Sequence, residues 1–169
     1  MSVAAGRPTG YSTAQIALHW TIAALILFQF LAHEGMEHVW DAFEDGEMVP
    51  SGDLPLAYAH VGVGITVLVL ALIRLWLRDT RGAPPLPEND PPVTRFAAHA
   101  THGLLYLLIL ITPLSGALAW FLGIEEAGDA HKALKSMLLL PVAVHVAGAL
   151  FQQFVLKSSG IMRMLRPGA

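Results

Sequence analysis

The sequence predicts an all-α protein, an integral membrane four-helix bundle, from three observations. Of its 169 residues, 54% are hydrophobic and only 14% are charged, whereas soluble domains carry about 25% charged residues. Four apolar stretches approach the roughly 20 residues that cross a bilayer as a helix. Acidic or proline-rich segments separate these stretches, as is typical of loops. At this length, residues 1–169 are expected to form a single membrane domain.

The four predicted spans cover approximately residues 14–32, 56–77, 96–122 and 131–156. The first is longer than the apolar core of a signal peptide, which is about 7–15 residues, so we expect it to be a retained span. The last is the least apolar at its start, where Lys132 and Lys135 fall in the first turns. Residues 34–55 and 123–130 are predicted to be acidic loops. Residues 79–94 contain several prolines, which cannot continue a helix.

Basic residues set the predicted orientation, because short loops rich in Lys and Arg remain in the cytoplasm. Residues 34–55 contain neither, whereas the proline-rich segment and the C-terminal tail contain several, and Arg7 precedes the first span. We therefore expect both termini and the proline-rich loop in the cytoplasm, with the two acidic loops outside. Only Lys132 and Lys135 depart from this pattern.

The composition also limits the cofactors and partners. No cysteine is present, which excludes disulfides, thiolate metal sites and covalent haem attachment. Any haem must therefore be held non-covalently. The formal net charge of −3 is small and says little as a sum. The expected surroundings are membrane lipid, and no nucleic-acid partner is expected.

Histidines inside the predicted spans are the main functional signal, because ionisable groups within a bilayer are costly and are functional candidates by default. His131 and His145 are 14 residues apart. Fourteen residues make four helical turns less about 40°, so both side chains lie on nearly the same face of one helix. They are about 21 Å apart along the helix axis. One helix with an imidazole near each membrane surface suits two haems stacked along the membrane normal.

Each haem needs a second histidine at a matching depth. His60 lies at the external level with His131, and His19 lies at the internal level with His145. Imidazole is a common axial ligand of haem iron, so these four residues are the predicted metal ligands. An alternative is that His33, which follows His19 by 14 residues, replaces His60 as the outer ligand.

Other polar residues in the spans are candidates for binding a cofactor. Arg74 lies near the cytoplasmic end of the second span, where it either pairs with a haem propionate or anchors the helix at the membrane surface. His99 and His102 stand one turn apart at the cytoplasmic start of the third span. They are candidates for binding a quinone oxygen, relaying a proton or contacting the inner propionates, unless they only lie at the headgroup level.

Several segments occur in an order and spacing that match a known pattern. They are Gln15-Ile16-Ala17-Leu18-His19-Trp20, Ala59-His60-Val61-Gly62 with Ile73-Arg74-Leu75, Ala98-His99-Ala100-Thr101-His102-Gly103, Pro113-Leu114-Ser115-Gly116, and His131 with His145. Together they resemble the bacterial cytochrome b561 family along residues 11–167. The resemblance implies a bacterial inner-membrane protein with two haem b groups on the four predicted ligands, and ubiquinone or menaquinone as a possible partner.

The sequence departs from one family member, a superoxide oxidase that reduces ubiquinone, in two places. That protein has two histidines soon after the last haem ligand, in a region implicated in quinone binding, where this chain has Gln152 and Gln153. Gln152 is therefore a candidate quinone contact. The predicted external loops are also acidic, which repels an anion such as superoxide and attracts a basic carrier such as a c-type cytochrome. Lys132 and Lys135 are a candidate local positive patch beside His131.

These observations lead to one main hypothesis and two alternatives. The main hypothesis is a di-haem b-type cytochrome that transfers electrons between the quinone pool and an external redox partner. One alternative is a superoxide:ubiquinone oxidoreductase. The other is a membrane anchor subunit for an extrinsic redox protein, and a membrane protein without a cofactor is the simplest competing interpretation.

Overall fold

The computed structural model describes residues 10–85, 91–158 and 160–168, so Arg7, used above to predict the orientation, and residues 86–90 of the predicted proline-rich loop lie outside the described residues. Within these ranges the secondary structure is helical, without a strand. The elements are α1 (Thr13–Leu31), α2 (Glu34–Glu44), α3 (Leu54–Arg81), α4 (Pro92–Leu122), α5 (Glu125–Phe154) and α6 (Gly160–Arg163). Among the described helices, α1, α3, α4 and α5 are long and apolar enough to cross a membrane. The predicted all-α membrane fold is confirmed.

The four long helices pack in sequence order, α1 on α3, α3 on α4 and α4 on α5. One buried cluster joins α1 and α3 through Ile22, Val67 and Ala71. A second joins α4 and α5 through Leu105 and Leu138. Many large apolar side chains are exposed instead, as expected where lipid rather than water surrounds the bundle.

The two ends of the bundle differ, and we call them the α2 end and the tail end. At the α2 end, α2 packs against the start of α3. At the tail end, the C-terminal segment packs back on the beginning of the chain. There the Trp20 indole N–H donates to the Met164 carbonyl (2.7 Å), and the Gly168 N–H donates to the Tyr11 carbonyl (3.2 Å).

Several helices extend beyond their predicted apolar stretches because their terminal residues favour helix ends. Pro92 occupies the first turn of α4, where its missing N–H costs nothing. Glu125 and Glu126 occupy the first turn of α5, where carboxylates interact favourably with the helix dipole. The prediction of a loop over residues 123–130 was therefore wrong for most of that segment, since α5 begins at Glu125.

The prediction that residues 34–55 form a loop was also wrong for its first half, because α2 occupies Glu34–Glu44. One face of α2 is acidic and the other is apolar, with Val39 and Trp40 buried. A glycine at position 128 accommodates the Trp40 ring, since a Cβ there would lie 2.7 Å from Trp40 Cζ2. The helix is thus held by a specific contact with α5 as well as by α3.

Candidate functional site

Helix α5 carries one half-buried histidine towards each end of the bundle. His131 lies six residues after the start of α5, at the α2 end, and His145 lies towards the tail end. Their separation of 14 residues corresponds to about 21 Å along the helix. Each faces a histidine of another helix, as the sequence predicted.

At the α2 end, His131 faces His60 of α3, with ring centres 6.0 Å apart. Both line a cleft between α1, α3, α4 and α5. The His131 Nδ1–H donates to the Thr112 carbonyl of α4 at 2.8 Å. Because a carbonyl only accepts hydrogen bonds, this contact places the proton on Nδ1 and leaves the Nε2 lone pair available to a metal.

Two residues of α4, Ser115 and Gly116, stabilise this contact or provide the space for it. The Ser115 hydroxyl also donates to the Thr112 carbonyl, at 2.7 Å. Gly116 provides the space for the imidazole, because a Cβ there would lie 2.9 Å from His131 Nδ1. Although the motif containing Ser115 and Gly116 was evident in the sequence, its role beside His131 was not. The signal for this role in the sequence was the presence of a small residue and a hydroxyl-bearing residue within an apolar helix.

His60 is positioned through its backbone. The Gln29 side-chain amide of α1 donates to the His60 carbonyl at 2.9 Å. The His60 Nδ1 atom is buried and has no hydrogen-bond partner among the described residues. Buried polar atoms are rarely left without a partner, so this imidazole fits a site completed by a further group.

At the tail end, three imidazoles meet. The ring centre of His145 lies 6.1 Å from that of His19 in α1 and 5.1 Å from that of His102 in α4. The His19–His145 separation is close to the 6.0 Å of the pair at the α2 end. His102, which the sequence marked only as a candidate cofactor contact, thus lies directly beside the predicted ligand pair.

These separations suit a metal between each pair. Imidazole nitrogens bind metal ions at about 2.0–2.1 Å, so two rings on opposite sides of one metal have centres about 6 Å apart. The described residues contain no group of three or more His, Asp or Glu side chains able to hold a metal ion. Two facing imidazoles leave the remaining coordination positions of a metal to other ligands, and a haem iron brings such ligands with it.

Arg74 lies close to the histidines of the tail end, within electrostatic range of both His19 and His145. One of its guanidinium nitrogens donates to the Gln15 carbonyl at 2.7 Å. A guanidinium has five N–H donors, so this bond leaves capacity for an anionic group. Arg74 also lines a small cleft with Gln15 and the tail-end residues Tyr11, Arg78 and Tyr106.

Three other residues singled out in the sequence lie apart from the imidazole pairs. The His33 Nδ1–H donates to the Phe30 carbonyl at 2.8 Å, and the ring lines the α2-end cleft rather than stacking on His131. His99 is exposed and bonds to the Arg95 carbonyl at 2.8 Å. Gln152 lies near the end of α5, where its carbonyl accepts from the Ser158 N–H at 2.9 Å.

Lys132 and Lys135 do not form the local positive patch considered from the sequence, because carboxylates of α2 pair with both. Lys135 Nζ lies 2.6 Å from a Glu37 oxygen. Lys132 Nζ lies 3.4 Å from Glu44 and 3.7 Å from Asp41. The hydrogen bond and the charge of Lys135 lower the pKa of the Glu37 carboxyl, so Glu37 is ionised near neutral pH.

Comparisons with known proteins identify relatives of the chain. The family model for prokaryotic cytochrome b561 matches residues 10–167. The chain is 40% identical over 158 residues to cytochrome b562 of Cereibacter sphaeroides, covering 94% of this chain and 96% of that protein. It is 25% identical to the probable superoxide oxidase CybB of Yersinia pestis, covering 92% and 95%. Cytochrome b561 homolog 1 of Escherichia coli is 27% identical, covering 92% and 96%. The chain therefore belongs to the prokaryotic cytochrome b561 family, a family of electron-transferring b-type cytochromes of the membrane, and its implied cofactor is haem b.

Proposed function

We propose that the chain binds two haem b groups and transfers electrons across the bacterial inner membrane between the quinone pool and a redox partner outside. The observation that carries this proposal is the pair of imidazole sites at the two ends of α5, with ring centres 6.0 and 6.1 Å apart. Haem b supplies a one-electron Fe(III)/Fe(II) couple when it is bound.

In this proposal His60 and His131 would hold the haem at the α2 end, and His19 and His145 would hold the haem at the tail end. The matching separations of these pairs support the assignment over a His102–His145 pair, whose ring centres are only 5.1 Å apart. His33 is less suited to replace His60, since the His60 ring and not the His33 ring lies against His131.

Neighbouring residues orient the ligands and balance charge. Thr112 fixes the His131 tautomer through its carbonyl, a type of contact that also raises the basicity of the ligand. Arg74 would neutralise a propionate at the tail end with the N–H groups that its bond to Gln15 leaves available. His102, beside His145, contacts either the same haem or a quinone headgroup.

We assign the tail end to the cytoplasm and the α2 end to the outside, because Arg74, Arg78 and Arg163 lie at the tail end. Quinone then exchanges electrons near the tail-end imidazoles, where His99 and Gln152 remain candidate contacts. The outside surface is acidic in α2 and at the start of α5. Such a surface favours a basic protein carrier, such as a c-type cytochrome.

Superoxide oxidation is a second candidate function, favoured by the likeness to the probable superoxide oxidase of Yersinia pestis. The ion pairs of Lys132 and Lys135 argue against it, since among the described residues these are the lysine and arginine side chains that line the cleft, and both face carboxylates. Rapid mixing with superoxide discriminates the candidates. Fast haem reduction supports the oxidase, and its absence removes that function.

Removal of single ligands tests the two-haem proposal. His145→Ala and His60→Ala should each reduce the haem content from two per chain to about one, because the two sites share a helix but no ligand. His33→Ala should retain both haems. Loss of haem from His33→Ala, with retention in His60→Ala, would instead assign the outer ligand to His33.

A further inference from the structure

Helix α2 forms part of the wall of the cleft at the α2 end. His33, Met36, Glu37 and Trp40 line the same cavity as His60 and His131. The helix is fixed there by two close steric fits: Trp40 packs over Gly128 of α5, and Leu56 of α3 packs against Gly35, where a Cβ would lie 2.7 Å from Leu56 Cβ. A group bound between the two imidazoles would therefore share this cleft with residues of α2.

The charges of α2 are arranged towards α5 in the same region. Glu37, Asp41 and Glu44 are spaced three and four residues apart and so share one face of the helix. All three pair with Lys132 or Lys135. These lysines follow His131 by one and four residues in the sequence of α5. They therefore lie within about one helical turn of this member of the outer imidazole pair.

Three carboxylates around two ammonium groups give this contact between α2 and α5 a small net negative charge. Exposed charges act over about a Debye length, about 8 Å at physiological salt. Without α2, a small anion approaching the outer site would meet two lysines and be attracted. With α2 in place, the same anion meets paired lysines and an additional carboxylate, so the attraction is cancelled.

Building on the proposed di-haem function, we propose that Glu37, Asp41 and Glu44 are specificity-determining residues of the outer haem site. By pairing with Lys132 and Lys135 and holding α2 over the cleft, they exclude small anionic electron donors. Electron exchange is thereby reserved for a basic protein partner, which the acidic surface attracts.

The test compares two triple variants with the same change in net charge. Glu37→Gln/Asp41→Asn/Glu44→Gln releases the lysines. Glu125→Gln/Glu126→Gln/Asp129→Asn removes three carboxylates from the same end of the bundle that have no ion pair with the lysines among the described residues. The purified haem-loaded proteins are mixed with ascorbate, a small anion, and with neutral hydroquinone, and haem reduction is followed by stopped flow.

We expect reduction by ascorbate to be about three- to tenfold faster in the α2 variant than in the control variant at low salt, with the difference lost as salt rises. Hydroquinone should show no such difference. In parallel, acylation of Lys132 and Lys135 by an amine-reactive ester, measured by peptide mass spectrometry, should accelerate in the α2 variant only. Equal ascorbate rates in the two variants would overturn the proposal.

A steric variant tests the same idea without altering charge. Gly128→Ala places a methyl group against Trp40 and should displace α2, raising both lysine acylation and the ascorbate rate. Gly52→Ala is its control, because a Cβ at position 52 meets open space. If the triple variant fails to fold, unchanged lysine acylation in Gly128→Ala overturns the proposal. A wild-type protein without haem would refute the proposed function itself, which is a separate outcome.

Discussion

Replacing Gly116 by alanine tests how the outer imidazole is held. A Cβ at this position would lie 2.9 Å from His131 Nδ1 and 3.0 Å from Cε1, whereas unstrained heavy-atom contacts lie at about 3.5–4.0 Å. The ring must therefore move by roughly 0.5–1 Å. A comparable lengthening of the 2.8 Å bond from His131 to Thr112 would carry it beyond the usual limit of about 3.2 Å.

Loss of such an orienting bond typically costs about 10–100-fold in metal affinity, and we expect a weakening of this size for haem at the outer site. The measurement is the transfer of haem to excess apomyoglobin, made in a His145→Ala background so that only the outer site is filled. Gly103→Ala in the same helix is the control, since a Cβ there meets open space. Haem transfer at the same rate in Gly116→Ala and the control would refute the role assigned to the Thr112 contact.

Three further predictions concern the two ends of the bundle. Electron exchange with a basic cytochrome c should slow steeply with rising ionic strength; a stopped-flow salt series with no slope would contradict a charge-steered partner. Because Lys135 lowers the pKa of Glu37, the contribution of this pair to α2 docking is fully present above the ordinary glutamate pKa and is lost as pH falls through the lowered value. Hydrogen exchange of α2, corrected for the chemical rate, should therefore increase in acid, and Glu37→Gln should make that increase smaller, since Asp41 and Glu44 still pair with Lys132. An alkaline phosphatase fusion after Ala169 should be inactive, since the tail end is assigned to the cytoplasm; an active fusion would reverse the orientation.

The long helices were predictable because hydrocarbon imposes a simple length and composition requirement. The pairing of His60 with His131 and of His19 with His145 was predictable for a related reason. The 14-residue spacing within α5 fixes a common face, and the antiparallel order of the helices fixes the depth of the partner. These are properties of single helices and of their order, which the sequence contains directly.

Helix α2 was not predicted because it is short and strongly acidic, and its stability depends on docking. Its apolar face is completed by Gly128, about 90 residues away along the chain, and three of its carboxylates pair with Lys132 and Lys135. The same contacts explain how α5 can carry two lysines in its first turns. Only tertiary contacts connect the acidic helix α2 with the lysines at the start of α5. The sequence of either segment alone does not predict that it packs against the other.

The position of His102 was unpredictable for a different reason. His19 and His102 lie at a similar depth on different helices, so depth places both near His145. Which ring stands at the distance of an axial ligand depends on how α1 and α4 are rotated about their axes, and residue spacing does not determine that rotation.

The most direct test of the account is the haem content of the purified wild-type protein. A reduced-minus-oxidised spectrum, together with a pyridine haemochrome assay normalised to protein, measures both the cofactor type and its stoichiometry. The paired imidazoles at the two ends of α5 predict a b-type spectrum and two haems per chain. A single haem per chain, or none in protein that retains its helical fold, would contradict the two-site account.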